Sequence, residues 1–181
     1  MAWQSLLEHP RLRTSFVALD PWRKVLVLVA YLHRQLRLVQ AFDHLYAQRL
    51  TQVFVRGLAC ALADDRKAQR RMRADVMQCI PDTDDYPAQE GAWAQNLLIA
   101  LIHVLDFRVE GDAQALARGL RSSLDNIDLI HYEADEQYDE SRVFDEEVGL
   151  LLELTQAARS INREACTDMR WVAQLTHRCR V

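Results

Sequence analysis

Residues 97–102 read Leu97-Leu98-Ile99-Ala100-Leu101-Ile102, an apolar run with no polar residue on any face. A surface helix keeps one polar face, so a segment that is apolar all round belongs in the interior of a bundle. The run lies within a helical segment that we predict over residues 91–107. We expect this segment to be the central helix, with the other helices packed around it.

Helical periodicity continues outward from this segment in both directions. Apolar residues recur at three- and four-residue steps, and no stretch shows the alternation of a half-buried strand. Asp20 and Pro21 read as an N-cap and first helical residue, and Gly57 is expected to mark close packing. Gly111 and Asp112 read as the C-cap of one helix and the N-cap of the next. The predicted helices cover residues 20–36, 38–62, 65–79, 91–107, 112–130 and 144–161, with a weaker segment to residue 175. The chain is therefore predicted to be all-α, a single-domain helical bundle of about six to seven helices over residues 1–181.

Several features predict a cytoplasmic protein without a membrane span. Glu8, Pro10 and Arg11 interrupt the only N-terminal stretch that resembles a signal peptide. The longest apolar run covers residues 25–32, whereas a bilayer span needs roughly 20 residues. The cysteines stand singly, without a C-x-x-C pair, which is typical of free thiols in a reducing compartment and predicts no zinc site. They are Cys60, Cys79, Cys166 and Cys179.

Charge is distributed unevenly along the chain. Residues 1–80 carry a net charge of +7 and residues 81–181 a net charge of −11, for a total of −4. Arginines concentrate between Arg66 and Arg73, where they offer a basic surface to an anionic partner. No aromatic residue interleaves this segment, and the chain is acidic overall, so we expect a solvated face or a subunit contact and no nucleic-acid binding.

Two motifs carry a resemblance to a known family. The first is Leu19-Asp20-Pro21-Trp22-Arg23-Lys24-Val25, and the second is the turn Cys79-Ile80-Pro81-Asp82-Thr83-Asp84-Asp85-Tyr86, followed by an apolar helix. Over residues 19–165 the chain resembles the YjaG-like bacterial family, the domain of unknown function four hundred and sixteen. It departs from the family pattern at Pro87 and in its arginine-rich third helix. The resemblance implies an all-helical bacterial cytosolic protein and supplies no catalytic residues.

The aspartates of the turn motif suggest a calcium loop, which the spacing excludes. In a loop that starts at Asp82, position six would be Pro87 in place of glycine, and position twelve would be Trp93 in place of glutamate. The alternative is structural, because aspartate side chains close turns and cap the helix that follows. We expect this second role.

Two histidine-containing clusters are candidates for chemistry. His103 and Asp106 interrupt the most apolar helix, where a buried pair could act as a general base or serve only as a satisfied core contact. Asp125, Asp128, His131 and Asp135 would share a helix face, as metal ligands do in carboxylate bundles. That architecture needs a Glu-x-x-His motif on two helices, and the chain has none.

The sequence predicts no catalytic, cofactor-binding or metal-binding residues and no cofactor. The leading hypothesis is a non-catalytic helical module that associates with itself, as a homodimer, or with a protein partner. The alternative is an enzyme or a bundle that binds a small ligand or metal through His103, His131 and nearby carboxylates.

Overall fold

Helices form all the regular structure in the described part of the chain. The computed structural model describes residues 6–163 and 169–176. Its helices are α1 (Pro10–Val17), α2 (Pro21–His33), α3 (Leu36–Tyr46), α4 (Leu50–Leu62), α5 (Arg66–Gln78), α6 (Gln89–Glu110), α7 (Ala113–Ala134), α8 (Glu140–Ser160) and α9 (Met169–Thr176). The all-α prediction is confirmed. The described helices number nine, more than the six to seven expected, because α1 was not predicted and residues 38–62 form two helices.

Two helices share the centre of the bundle. As predicted, α6 is central, and it packs against α2, α3, α4, α5 and α7. The expectation that every other helix packs around it was wrong, because α8 and α9 pack mainly against α2, and α1 packs against α8. The second central helix is α2, in which residues 25–32 are each at most 1% exposed and which packs against α4, α6, α7, α8 and α9. Close packing at Gly57 is also confirmed, since a β-carbon there would lie 2.5 Å from Cδ2 of Leu101. The core is thus built around two helices that contact each other, α2 and α6.

The prediction of one continuous helix over residues 38–62 was wrong, because two helices cover this range. Ala47 adopts a left-handed conformation with φ 51° and ψ 38°, which ends α3. The Asp43 carboxylate then accepts the N–H groups of Leu50 at 2.6 Å and Thr51 at 2.8 Å, so it caps α4 from the preceding helix. The carboxylate satisfies donors that a helix start leaves unpaired, which permits the break.

Most predicted helix ends are confirmed, and one start is corrected. Asp20 accepts from Arg23 N–H at 3.0 Å at the start of α2. Gly111, at φ 79°, ends α6, and Asp112 accepts from Gln114 N–H at 2.9 Å to cap α7. The start of the last long helix near residue 144 was wrong, because α8 begins at residue 140, where Asp139 caps it.

The terminal helices dock on the bundle. α1 packs against α8 through buried Leu12 and Phe16. α9 packs against α2, where Nδ1 of His33 lies 3.0 Å from Oγ1 of Thr176. Cys166 and Cys179 lie outside the described residues, as does residue 165 at the end of the family resemblance.

Of the single helices that the structure describes, α6 alone is long and apolar enough to cross a bilayer, and α2 with α3 passes the same test as a bent pair. In α6, 56% of the most apolar window is buried inside the structure. The core helix of a bundle also meets this test, so the result alone does not indicate a membrane span. The expectation of no membrane span stays a prediction.

Candidate binding cleft

A cleft of about 400 Å³ lies between the α3–α4 turn and the α5–α6 loop. Its volume is within the range of small-molecule and peptide-side-chain pockets. We call it the motif cleft, because four residues of the turn motif line it. The lining residues are Phe42, Gln48, Arg49, Leu50, Val53, Gln78, Cys79, Ile80, Pro81 and Tyr86.

One wall of the motif cleft is the turn that separates α3 from α4. Among the described non-glycine residues, Ala47 alone has a positive φ, a conformation that costs about 1–2 kcal/mol in an L-residue. The turn is held by Asp43, whose backbone carbonyl accepts from Gln48 N–H at 3.1 Å and whose carboxylate caps α4. Unfavourable backbone conformations are retained where the surrounding structure fixes them, often at binding sites. Here the turn places Gln48 and Arg49 at the cleft.

The opposite wall is the turn motif, which is built on an aromatic cluster. The ring centroid of Tyr86 lies 5.1 Å from that of Phe42 and 4.9 Å from that of Tyr46, with both pairs edge-to-face. Such pairs stabilise by about 0.5–1.5 kcal/mol beyond their burial. The hydroxyl of Tyr46 also accepts from Ala88 N–H at 3.0 Å. The cluster therefore fixes the loop against α3.

The aspartates of the motif close the turn but do not cap α6. Asp82 accepts from Asp84 N–H at 3.0 Å through its carboxylate and from Tyr86 N–H at 2.9 Å through its carbonyl. The expected cap of the following helix was wrong, because the N-cap residue of α6 is Ala88. The loop instead approaches the helix so closely that a β-carbon on Gly91 would lie 2.1 Å from the Tyr86 carbonyl oxygen.

The arginines of α5 are partly engaged within the molecule. Nε of Arg66 donates to the Val109 carbonyl at 2.7 Å, which satisfies the C-terminal end of α6. Arg73 forms an ion pair with Asp106. Arg70 and Arg71 are exposed. Part of the basic segment therefore holds α5 against α6, whereas a solvated face or a subunit contact was expected, and the absence of nucleic-acid binding stays a prediction.

His103 lies beside Asp106, which is already paired with Arg73. Its Nδ1 is 3.7 Å from an Asp106 oxygen and makes no hydrogen bond within the described residues. Burial, followed by the charge of Arg118, lowers the pKa of His103 despite the nearby Asp106 carboxylate. A neutral imidazole with an engaged carboxylate neighbour is not oriented as in a catalytic dyad.

His131 and His103 do not share a site. His103 faces Gly119 on α7, where a β-carbon on the glycine would lie 3.2 Å from Cβ of His103. His131 follows Gly119 by twelve residues, which is about 18 Å along a helix. The two histidines that the sequence singled out are therefore separated by about half the length of α7.

The four residues expected to share a helix face do not all do so, because α7 ends at Ala134 and Asp135 lies beyond it. Two of the acidic side chains make local contacts. Asp128 accepts a hydrogen bond from the Tyr138 hydroxyl, and Asp135 pairs with Arg142 of α8. Burial raises the pKa of Asp125. In residues 6–163 and 169–176, no group of three or more His, Cys, Asp or Glu side chains is placed to hold a metal ion.

Sequence reasoning missed a buried ion pair at the end of α2. Arg34 donates to both carboxylate oxygens of Glu147, at 2.7 Å and 2.9 Å, and the Tyr31 hydroxyl also donates to this carboxylate. The side chains of Arg34 and Glu147 are 6% and 5% exposed. Burial, together with the Glu147 charge, raises the pKa of Tyr31. A glutamate among the exposed acids of α8 gave no signal in sequence that it is buried.

No family model matches the chain, and no curated protein or solved structure matches it either. The resemblance to the YjaG-like family therefore stays a prediction. The motif that carries it is the segment that forms one wall of the cleft.

Proposed function

We propose that this chain is a non-catalytic helical module that acts by binding a protein partner, or a second copy of itself, at the motif cleft. The observation that carries the proposal is the cleft, an open, largely apolar cavity of about 400 Å³. Clefts of this kind accept apolar side chains that a partner presents, and such anchors supply much of the energy of protein association.

The composition of the cleft supports binding more than catalysis. Its walls are mainly apolar and aromatic, with Gln48, Arg49 and Gln78 as polar groups. Cys79 is the nucleophile among the lining residues, which include no histidine and no carboxylate to act as its base. Nucleophilic catalysis needs such a base within hydrogen-bond distance, or another means of activation.

The polar clusters elsewhere support the same proposal. The Arg34–Glu147 pair, the Arg73–Asp106 pair and the Tyr138–Asp128 hydrogen bond each join one part of the bundle to another. Groups that hold helices together are not available to bind and transform a substrate. At the motif cleft, Arg49 lies beside apolar groups without such a partner among the described residues.

The proposal is tested by filling the cleft from its rim. Gln78 is exposed at the end of α5, so Gln78→Trp adds an indole at the cleft without changing a buried position. We expect the variant to lose association, measured by sedimentation velocity over a concentration series and by cross-linking to partners purified with the wild-type protein. The melting temperature should stay within about 2 °C of wild type.

A matched control is available on the neighbouring helix. Gln52 is exposed on α4 and does not line the cleft, so Gln52→Trp adds the same side chain to a different surface. This control should associate as the wild type does. Equal association by both variants, or a strictly monomeric wild type without a partner, would contradict the proposed function.

We place the module in the bacterial cytoplasm, bound neither to a membrane nor to nucleic acid. Cys60 and Cys79 are free thiols, which suits a reducing compartment. The intramolecular roles of Arg66 and Arg73 reduce the basic surface that is open to phosphates. Retardation of duplex DNA at about 50 mM salt that is lost at about 200 mM would contradict the second part.

The second candidate is a bundle that binds a ligand or metal. Because His131 lies apart from His103, such a site would use His103 and the carboxylates near it. The observation in its favour is the neighbouring pair His103 and Asp106, with 3.7 Å between Nδ1 and a carboxylate oxygen. Native mass spectrometry of the untagged protein tests this candidate. A bound metal or small molecule that His103→Ala removes would favour it over association.

A further inference from the structure

We propose that the motif cleft recognises a peptide segment whose apolar C-terminal side chain enters the cleft while its terminal carboxylate pairs with Arg49. This inference rests on the proposed function, because it specifies the chemistry of the partner at the same site. The cleft would then bind the C-terminus of a partner chain through one apolar side chain and one negatively charged carboxylate.

The cation for this recognition is Arg49. It lines the cleft, is exposed, and has neither an ion pair nor a side-chain hydrogen bond with any residue in the described parts of the chain. The nearby Asp43 carboxylate is occupied by the N–H groups of Leu50 and Thr51. A guanidinium group without a partner, beside an apolar cavity, complements a carboxylate attached to an apolar group.

Asp43 also determines which group receives the anion. The first turn of a helix usually offers free N–H groups to a negative ligand. At α4 the Asp43 carboxylate already fills that position, at 2.6 Å and 2.8 Å from the two backbone nitrogens. The anion therefore pairs with the arginine side chain, which suits a planar carboxylate through two parallel hydrogen bonds.

The apolar anchor follows from the walls of the cavity. Leu50, Val53, Ile80 and Pro81 line the cleft together with the aromatic side chains of Phe42 and Tyr86. A cavity of about 400 Å³ has room for one large apolar side chain and its backbone. Burial of such a side chain contributes through the apolar area that it removes from water.

The loop beside the cleft carries exposed aspartates that do not line it and that would disfavour further negative charge on the ligand. Asp82, Asp84 and Asp85 are exposed on the loop that forms the Pro81 and Tyr86 wall. Three carboxylates there repel a second anionic group and attract a cationic one. The segment that precedes the C-terminal residue is therefore expected to be neutral or basic, and polyanions are rejected.

The test uses acetylated tetrapeptides that end in Leu, Phe, Val or Ala, each made with a free C-terminal carboxylate and with an amide. Binding to the full-length protein is measured by chemical-shift titration. For the best apolar end, we expect the carboxylate form to bind about five- to tenfold more tightly than the amide. Octanoate is a further arm, since weaker binding by octanoate than by the peptide distinguishes a chain end from a free fatty acid.

The variant Arg49→Gln should abolish the preference for carboxylate over amide, and Arg49→Lys should keep part of it. Arg56→Gln is the matched control, because Arg56 is exposed on α4 and does not line the cleft. Equal binding of carboxylate and amide, no binding of either peptide, or a preference that survives Arg49→Gln would overturn the inference. If Gln78→Trp still abolishes association in any of these cases, the proposed function stands without it.

Discussion

Two arginines lie in the short connections between consecutive helices, and their surroundings differ. Arg34 lies between α2 and α3, is buried, and forms a two-bond pair with Glu147 of α8. Arg49 lies between α3 and α4, is exposed, and lines an open cleft. A buried arginine needs a partner because an unpaired interior charge is costly, whereas an exposed one is satisfied by water.

The comparison separates the interior of the molecule from its candidate binding surface. At Arg34 the guanidinium group ties α2 to α8, so its role is to hold the fold. At Arg49 the guanidinium group holds no other element of the described structure. We therefore expect substitutions near the first arginine to change stability, and substitutions near the second to change association.

The protein should fail to fold when a charge is introduced into the central helix α6 at the position that faces α4. Leu101 is fully buried and contacts Gly57 of α4. Leu101→Asp must either keep an unsolvated charge or take up a proton, so we expect a cost above about 3 kcal/mol and loss of folding. Circular dichroism and thermal melting measure the result. A soluble variant with an unchanged melting temperature would show that α6 is not part of the core.

The buried pair should give the next largest effect. Glu147→Ala leaves Arg34 without its carboxylate, and we expect about 3–5 kcal/mol of destabilisation in urea unfolding. The double variant Arg34→Met with Glu147→Leu removes both charges and should recover most of that loss. If the double variant is as unstable as the single one, the ion pair stabilises the fold by more than the cost of burying its two charges.

A smaller effect is expected from His103 as a function of pH. Its pKa is lowered in the folded state, so the unfolded chain binds the proton more tightly. The stability that neutral His103 contributes is therefore present above the unfolded-state pKa of about 6.5, and it is lost as the pH falls from that value through the lower folded-state pKa. Between pH 7.5 and 5.5, wild type should lose more unfolding free energy than His103→Gln. Equal losses would mean that the histidine is not desolvated.

The fold class and most helix limits were predictable because they depend on local patterns. Apolar periodicity located the helices, and Asp20, Gly111 and Asp112 marked ends through capping chemistry that acts within a few residues. The break at Ala47 was not predictable in this way. Alanine favours helices, and the group that permits the break is the carboxylate of Asp43, which reaches α4 across the turn.

The candidate site was only partly predictable for a related reason. The turn motif was recognised, yet its role as a cleft wall depends on Phe42 and Tyr46 of a helix about 40 residues away in sequence. The histidines stood out as chemical groups. The 3.6-residue periodicity of a helix, however, does not tell which faces of α6 and α7 meet. The depth of Glu147 likewise depends on the packing of α8 against α2.

Hydrogen–deuterium exchange with and without the carboxylate peptide tests the central claim most directly. If the motif cleft is the binding site and the interior only supports it, protection on binding should appear in residues 47–53 and 79–86. The amides around Arg34 and Glu147 should exchange at the same rate in both samples. Protection confined to α8 and α9, with none at the cleft, would contradict the account.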